Sequence, residues 1–351
     1  MFYIKFNKLL TQIQKKCIFT SMRSRKVNLI LLLFFNFIYS FSQDIHWSQM
    51  NQLLSFQNPS RAGEYSEDVK FTFAIKDQWR NVTKPYQTFL GSVDTKFRKF
   101  DNISLATNFL TDVVGDGSFR TNQFGIICSY DKKINKSLNF SFGVDVGVVN
   151  KVLDFSNFKF DNQYDGYFYN SILSSNESYT NTSFTNFNFG LGFFTILKLN
   201  ELNSISFGLS SYNLNKPKET FYQFQITRPV RNNFNINHYL ILNRHTINSF
   251  IYCVKQNTYS ELLVGFLDDF KTKSFRYKHI YSGLNYRYKD AIILNLGLLI
   301  HSLKITLSYD INISKLYIAS RGRGSLEIVV QYLLKKRKLT FPIKYQCIDY
   351  Y

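Results

Sequence analysis

Beyond residue 68 the chain alternates apolar and polar residues at period two. Leu138, Phe140, Phe142, Val144, Val146 and Val148 alternate with Asn139, Ser141, Gly143, Asp145 and Gly147. Phe187, Phe189, Leu191 and Phe193 alternate with Asn186, Asn188, Gly190 and Gly192, and Ile205, Phe207 and Leu209 with Ser206, Gly208 and Ser210. Toward the end, Leu303, Ile305, Leu307, Tyr309 and Ile311 oppose Lys304, Thr306, Ser308 and Asp310, and Leu326, Ile328, Val330 and Tyr332 oppose Ser325, Glu327 and Gln331. One apolar and one polar face per segment is the mark of a β-strand. The pattern predicts fourteen strands, at 69-79, 86-97, 102-110, 121-131, 138-153, 184-198, 202-212, 233-243, 246-255, 259-268, 276-288, 291-301, 303-312 and 325-334.

A soluble sandwich also alternates, so the content of the faces has to decide. The polar faces carry Gly, Ser, Asn and charge, which suits a wet lumen; the opposite faces carry Phe, Leu, Ile and Tyr, which suits lipid flanked by aromatic girdles. Several runs reach the roughly 9 to 11 residues that a tilted membrane strand needs. Only helices and closed barrels satisfy backbone groups in hydrocarbon. The expectation is an all-β protein, a transmembrane antiparallel up-and-down β-barrel of about 14 strands with periplasmic termini. An even strand number fits, as do gaps 111-120, 154-183, 213-232 and 313-324, which all follow odd-numbered strands and would be extracellular.

Composition supports a large β architecture, with 36 Phe and 24 Tyr but 5 Pro, 3 Met and 2 Trp. Residues 1–42 hold seven basic residues and no acidic one, and the apolar run Val27 to Tyr39 precedes Ser40-Phe41-Ser42. This reads as a cleaved signal peptide, since the run is too short to span a bilayer. Met22 is an alternative start. The division expected is 1-42 signal peptide, 43-68 a periplasmic or lumen segment, 69-334 the barrel and 335-351 a basic periplasmic tail. Without the leader the chain stays basic, from 43 Lys+Arg against 24 Asp+Glu overall. Export rules out nucleic acid as the partner, and the lysines also follow from AT-rich codon usage. Cys128, Cys253 and Cys347 are too few and too scattered for a disulfide framework or a zinc site.

Candidate chemistry is sparse. His46, His238, His245, His279 and His301 are scattered, and no hydrolase, zincin, phosphate-loop or dinucleotide motif occurs. No catalytic residue, metal ligand or cofactor is assigned, and a barrel lipase assembled from distant strands is the residual enzymatic alternative. Asp112 to Gly117 reads as a hairpin loop rather than a calcium site. Asp145, Asp310, Glu327, Lys304 and Arg287 read as a lumen filling that neutralises itself. Asn58-Pro59 opens a turn, because proline restricts itself and its predecessor, and Gly63 permits a tight backbone. Trp79 reads as an interfacial anchor. Arg321-Gly322-Arg323-Gly324 forms an exposed basic loop, and Lys335-Lys336-Arg337-Lys338 opens a tail that is either solvated or docks a periplasmic partner.

Gln43-Asp44, Trp47-Ser48-Gln49 and Asn58-Pro59-Ser60-Arg61-Ala62-Gly63 resemble the mature start of the PorP/SprF family of Bacteroidetes outer-membrane proteins. Gln78-Trp79, Pro85-Tyr86-Gln87-Thr88, Asp112 to Gly117, Asp154-Phe155-Ser156 and Leu214-Asn215-Lys216-Pro217 are similar to its further elements. So are Ser308-Tyr309-Asp310, Ile313-Ser314-Lys315-Leu316, Gly322 to Ile328 and Cys347, whereas Lys76-Asp77 and the ending Ile348 to Tyr351 depart from the family pattern. The resemblance implies a non-catalytic barrel in outer-membrane lipid. Its partners would be type IX secretion components and secreted adhesin-type C-terminal domains, in gliding bacteria included. Candidate partner-binding positions are Asn58, Pro59, Ala62, Gly63, Gln78, Trp79, Arg321 and Arg323. The alternative is a passive pore or small-solute transporter.

Overall fold

The computed structural model describes residues 45–335 except 81–83, 98–101, 116–118, 155–157, 178–181, 220, 222–225, 275–276 and 316. The leader, Asp116-Gly117, Phe155-Ser156, Lys336 onward and Cys347 lie outside these. Fourteen antiparallel strands close into a barrel. They are β1 Val69–Gln78, β2 Tyr86–Lys96, β3 Ile103–Val114, β4 Phe119–Lys133, β5 Leu138–Val152, β6 Ser183–Lys198 and β7 Asn203–Tyr212. The second half comprises β8 Arg231–Leu242, β9 His245–Gln256, β10 Tyr259–Lys271, β11 His279–Arg287, β12 Ala291–Ile300, β13 Leu303–Asn312 and β14 Arg323–Leu334. β1 and β14 seal the wall from Val69 against Leu334 to Gln78 against Ser325. Count, order and antiparallel sense agree with the periodicity.

Burial is inverted relative to a soluble sheet. In β1, Lys70, Thr72, Ala74 and Lys76 face inward and are buried, while Phe73 and Ile75 stand exposed on the outer wall. Leu296, on β12, is 62% exposed and Lys76 only 1%. With lipid as the outer solvent, the apolar face belongs outside and the polar groups must satisfy one another inside.

The barrel has two unlike mouths. At the terminal mouth, where β1 starts and β14 ends, connections are short. Asn135 Oδ1 accepts from the amides of Ser137 and Leu138, both at 2.8 Å, and Asn200 Oδ1 from those of Leu202 and Asn203 at 2.9 and 2.7 Å. These side-chain turns reverse the chain with few residues. The loop mouth carries 153–182, 213–230 and 313–322. The 213–230 loop contains a small hairpin pairing Lys218–Glu219 with Ile226–Thr227, and 313–322 a helical turn, Tyr317–Ser320.

One expected long loop is not there. β3 and β4 pair out to Val114 and Phe119, so the 111-120 gap shrinks to 115–118. Asp112 is buried in the strand and accepts from Thr88 Oγ1 at 2.6 Å, and Thr111 donates to Asn122 Oδ1 at 2.8 Å. These polar pairs carry the ladder on to Val113 and Val114, through a stretch where alternation ceases to signal. Arg323 is likewise the first residue of β14 rather than a loop residue.

Candidate functional site: lumen plug and loop rim

Residues 45–63 fill the lumen. They form a 3₁₀ turn at Met50–Gln52, a helical turn at Leu54–Gln57 and a second 3₁₀ turn at Pro59–Arg61. Asn58 sits extended, as a residue before proline must, and its Oδ1 caps the last turn by accepting from Ser60 N at 3.0 Å and Ser60 Oγ at 2.7 Å. Gly63 ends the segment at φ 81°, and a Cβ there would collide with Ser104. Trp47, Met50 and Leu53 are fully buried against Ala74, Leu90, Leu110, Tyr252, Leu263 and Val329, an apolar patch inside an otherwise polar barrel. The plug begins near the loop mouth, where Ile45 and His46 are half-buried, and reaches β1 at the terminal mouth.

Near the loop mouth a charged latch holds the plug. The amides of Ser48 and Gln49 donate to the two oxygens of Glu327 at 2.8 and 2.9 Å. Ser48 Oγ donates to Asp310 at 2.8 Å and accepts from Arg287 at 2.9 Å, and Arg287 pairs with Asp310 at 3.0 Å. Lys76 Nζ donates to His46 O at 2.8 Å. Gln49 is bracketed, its Nε2 donating to Glu327 O at 3.2 Å and its Oε1 accepting from Thr306 at 2.6 Å. Bonds to charged groups are each worth about 1.5–3 kcal/mol, and truncating one partner strands the other in a dry site.

On the opposite wall the seat is built from glycine and amide groups. Asn58 Nδ2 donates to Phe193 O at 3.0 Å and Leu209 O at 3.1 Å. Pro59 and Ser60 lie directly over Gly143 and Gly192, where any Cβ would run into them. Gln57 O accepts from Ser210 Oγ and Asn233 Nδ2, both at 3.0 Å, Phe56 O from Tyr212 at 2.9 Å and Ala62 O from Ser129 at 2.8 Å. Arg61 is 1% exposed yet satisfied, by Glu64 at 2.5 and 2.9 Å, Gln57 at 2.7 Å and the Phe194 ring at 4.5 Å.

The sequence candidates thus divide into two places. Asn58, Pro59, Ala62 and Gly63 lie inside the lumen. Gln78, Trp79, Arg321 and Arg323 lie at the loop mouth by the β1/β14 seam, where Trp79 N donates to Gly324 O at 3.3 Å and its ring packs edge-on to Tyr86 at 4.8 Å. Trp79 adopts φ 58°, and Arg321 and Arg323 are exposed. Of the inward charges, Arg287 and Asp310 do neutralise each other. Asp145 does not have a cation paired to it among the described residues; Oδ1 lacks a hydrogen bond because its flanks are Gly125 and Gly190. His245 and His279 pair with Asp268 at 2.8 Å and Asp269 at 2.6 Å near the terminal mouth. No group of three or more metal-ligating side chains occurs among the described residues.

The rim itself was not singled out residue by residue. In loop 153–182, Asp165 Oδ1 accepts from the amides of Tyr167 and Phe168 at 3.0 and 2.8 Å, and Tyr164 bridges to Tyr169. The turn so formed lifts Tyr167, Phe168 and Ile172 into solvent at 90%, 76% and 91% exposure. Loop 213–230 is tied down by Glu219 to Lys151 at 2.6 Å. Turns and short bridges within the loops, with single side-chain ties such as Glu219 to Lys151, define this surface, and these leave no periodic trace.

A closed antiparallel barrel, lipid-compatible outside and polar inside, defines an outer-membrane β-barrel. The chain belongs to a particular family of these: the model of the type IX secretion system membrane protein PorP/SprF matches residues 39–332. No curated protein matches it. Among solved structures it is similar to the Pseudomonas putida toluene transporter TodX, at 8% identity and TM-score 0.47 over 80% of this chain and 93% of that one. It is also similar to a Pseudomonas aeruginosa FadL homologue, at 10% identity and TM-score 0.46 over 79% and 93%. A KdgM porin shares 11% identity and TM-score 0.38 over 76% and 99%.

Proposed function

We propose that this barrel is a non-catalytic partner of type IX secretion that holds a secreted or surface-attached protein, such as an adhesin C-terminal domain, on its loop rim. In this reading the signal peptide is removed, the loop mouth faces outward and the tail from 335 onward stays in the periplasm. The observation that carries it is the 153–182 loop, which is internally hydrogen-bonded yet keeps Tyr167, Phe168 and Ile172 exposed. Large apolar side chains held rigid in solvent are the usual anchors of a protein interface. Ile318, 87% exposed on the 313–322 loop, adds a second apolar point on the same mouth. The pore alternative is disfavoured by the buried plug, which occupies the path a solute would need.

The test is affinity capture from native outer membranes. A chain with 163–173 replaced by a Gly/Ser linker is expected to lose a secretion component or surface adhesin that the intact chain retains. Equal recovery of that protein by both chains would refute the rim assignment. A repeat without 335–351 separates rim contacts from any made by the tail.

A further inference from the structure

The wall grips the plug chiefly by its main chain. Glu327 takes two successive amides, and the carbonyls of Gln52, Phe56, Gln57 and Ala62 each accept a wall side chain, Gln52 O from Gln331 at 2.8 Å. Donors and acceptors aimed at a backbone recognise a chain conformation, as they do in peptide-recognition sites generally, while pockets for the anchoring side chains set selectivity. Here the pockets are those of Trp47, Met50 and Leu53. The plug is covalently continuous with the barrel only through Gly63 and β1 at the terminal mouth. Its leading residues, Ile45 and His46, sit half-buried at the loop mouth, so the end farthest from that tether is the end nearest the rim.

From this we infer that the lumen is a binding site for a turn-rich polypeptide segment, occupied in the isolated chain by residues 45–63 and open to exchange with a segment of the protein that the rim holds. The inference rests on the rim reading. The incoming segment would be small and polar with apolar residues at the Trp47, Met50 and Leu53 spacing. It would enter at the loop mouth, take the two carboxylate oxygens of Glu327 with successive amides and peel the plug from its leading end. Such exchange needs no loss of barrel structure, because the strand ladders are independent of the plug.

The chain supplies its own reporter. It has two tryptophans, Trp47 buried in the lumen and Trp79 at the rim. In full-length Trp79→Phe protein in nanodiscs, Trp47 reports plug position. The probe is a synthetic peptide of residues 45–63 carrying Trp47→Phe, so that it is silent. The expected result is a saturable shift of Trp47 emission to longer wavelength. The same peptide N-methylated at the amides matching Ser48 and Gln49 should be at least about ten-fold weaker, because both charge-assisted bonds to Glu327 are lost. Should Trp79→Phe not assemble, the unsubstituted chain is read against Trp47→Phe, which must show no shift. Two results overturn the inference: no shift at about a hundred-fold excess of peptide even when Asn58→Ala, in the plug itself, has loosened it while leaving the wall intact, or equal potency of the methylated peptide. Equal capture by the intact and loop-replaced chains with peptide exchange intact overturns the rim reading alone; loop-dependent capture with no exchange overturns the lumen reading alone.

Discussion

The two walls that hold the plug do so by different physics. On the side formed by β11, β13, β14 and β1 the contacts are charge-assisted: Glu327, Asp310, Arg287 and Lys76 surround Ser48, Gln49 and His46. On the β5–β7 side the wall comes close to Pro59 and Ser60 because Gly143 and Gly192 have no side chain, and Asn58 bonds directly to strand carbonyls. A charged contact can be weakened gradually, by protonation or by a competing amide, whereas a steric fit is all or none. The difference makes the leading half of the plug adjustable and the half nearest β1 an anchor.

The sharpest break of this contrast is Gly143→Val. The new side chain would overlap the Pro59–Ser60 backbone, which has no freedom to retreat, and overpacking of this kind costs roughly 3 kcal/mol. The anchor should be expelled outright, seen as steady conductance in planar bilayers where the unsubstituted chain is closed. A variant that remains closed would show that the glycines do not define the seat. Glu327→Gln attacks the other wall. It keeps one neutral acceptor and places an amide donor against a donor, a loss of about 2 kcal/mol that corresponds to roughly thirty-fold more open plug. Acrylamide quenching of Trp47 should rise without the barrel unfolding, and unchanged quenching would show that the ionic latch adds nothing.

How much of this was readable beforehand depends on which face is considered. The outer wall was legible because lipid imposes one rule on every strand, and Phe73, Phe142, Phe207 and Leu307 all obey it. The plug was not. Trp47, Met50 and Leu53 are spaced by three and follow no strand period, and their partners sit on several different strands. A trace does exist: Leu90, Leu110, Leu263, Ile293 and Val329 are apolar at inward positions, where alternation calls for polar ones. Such exceptions mark where something apolar occupies the lumen. Glu327 and Asp310 were recognisable as inward charges, but their use in receiving backbone amides depends on the fold of the plug itself.

Asn58→Ala tests whether the anchor needs more than shape. It removes the cap on Pro59–Arg61 and both bonds to the wall carbonyls, at a cost of about 1.5 kcal/mol, since the carbonyls keep their own ladder. The expected readout is faster proteolytic nicking between residues 50 and 60, with conductance events rare and brief rather than steady. If Asn58→Ala opened the lumen as fully as Gly143→Val, hydrogen bonding rather than steric fit would be the anchor.

The mildest perturbation is proton concentration, and it should act on the leading half alone. The seated imidazole of His46 is held well below its ordinary value of 6.5, first by desolvation and then by the positive charges of Lys76, Arg287 and Arg231. Glu261 and Arg231 line the same small cavity. Well above pH 6.5 His46 is neutral whether seated or released, so it adds no slope to the plug equilibrium there. Below that value the released imidazole binds a proton that the seated one does not, and acid therefore favours release, by at most ten-fold per pH unit for one proton. Trp47 quenching should rise between pH 6.5 and 5.5, and His46→Gln should flatten that rise. Persistence of the rise in His46→Gln would move its origin to another titrating group, and the distinction between an adjustable latch and a fixed anchor would then need a different chemical basis.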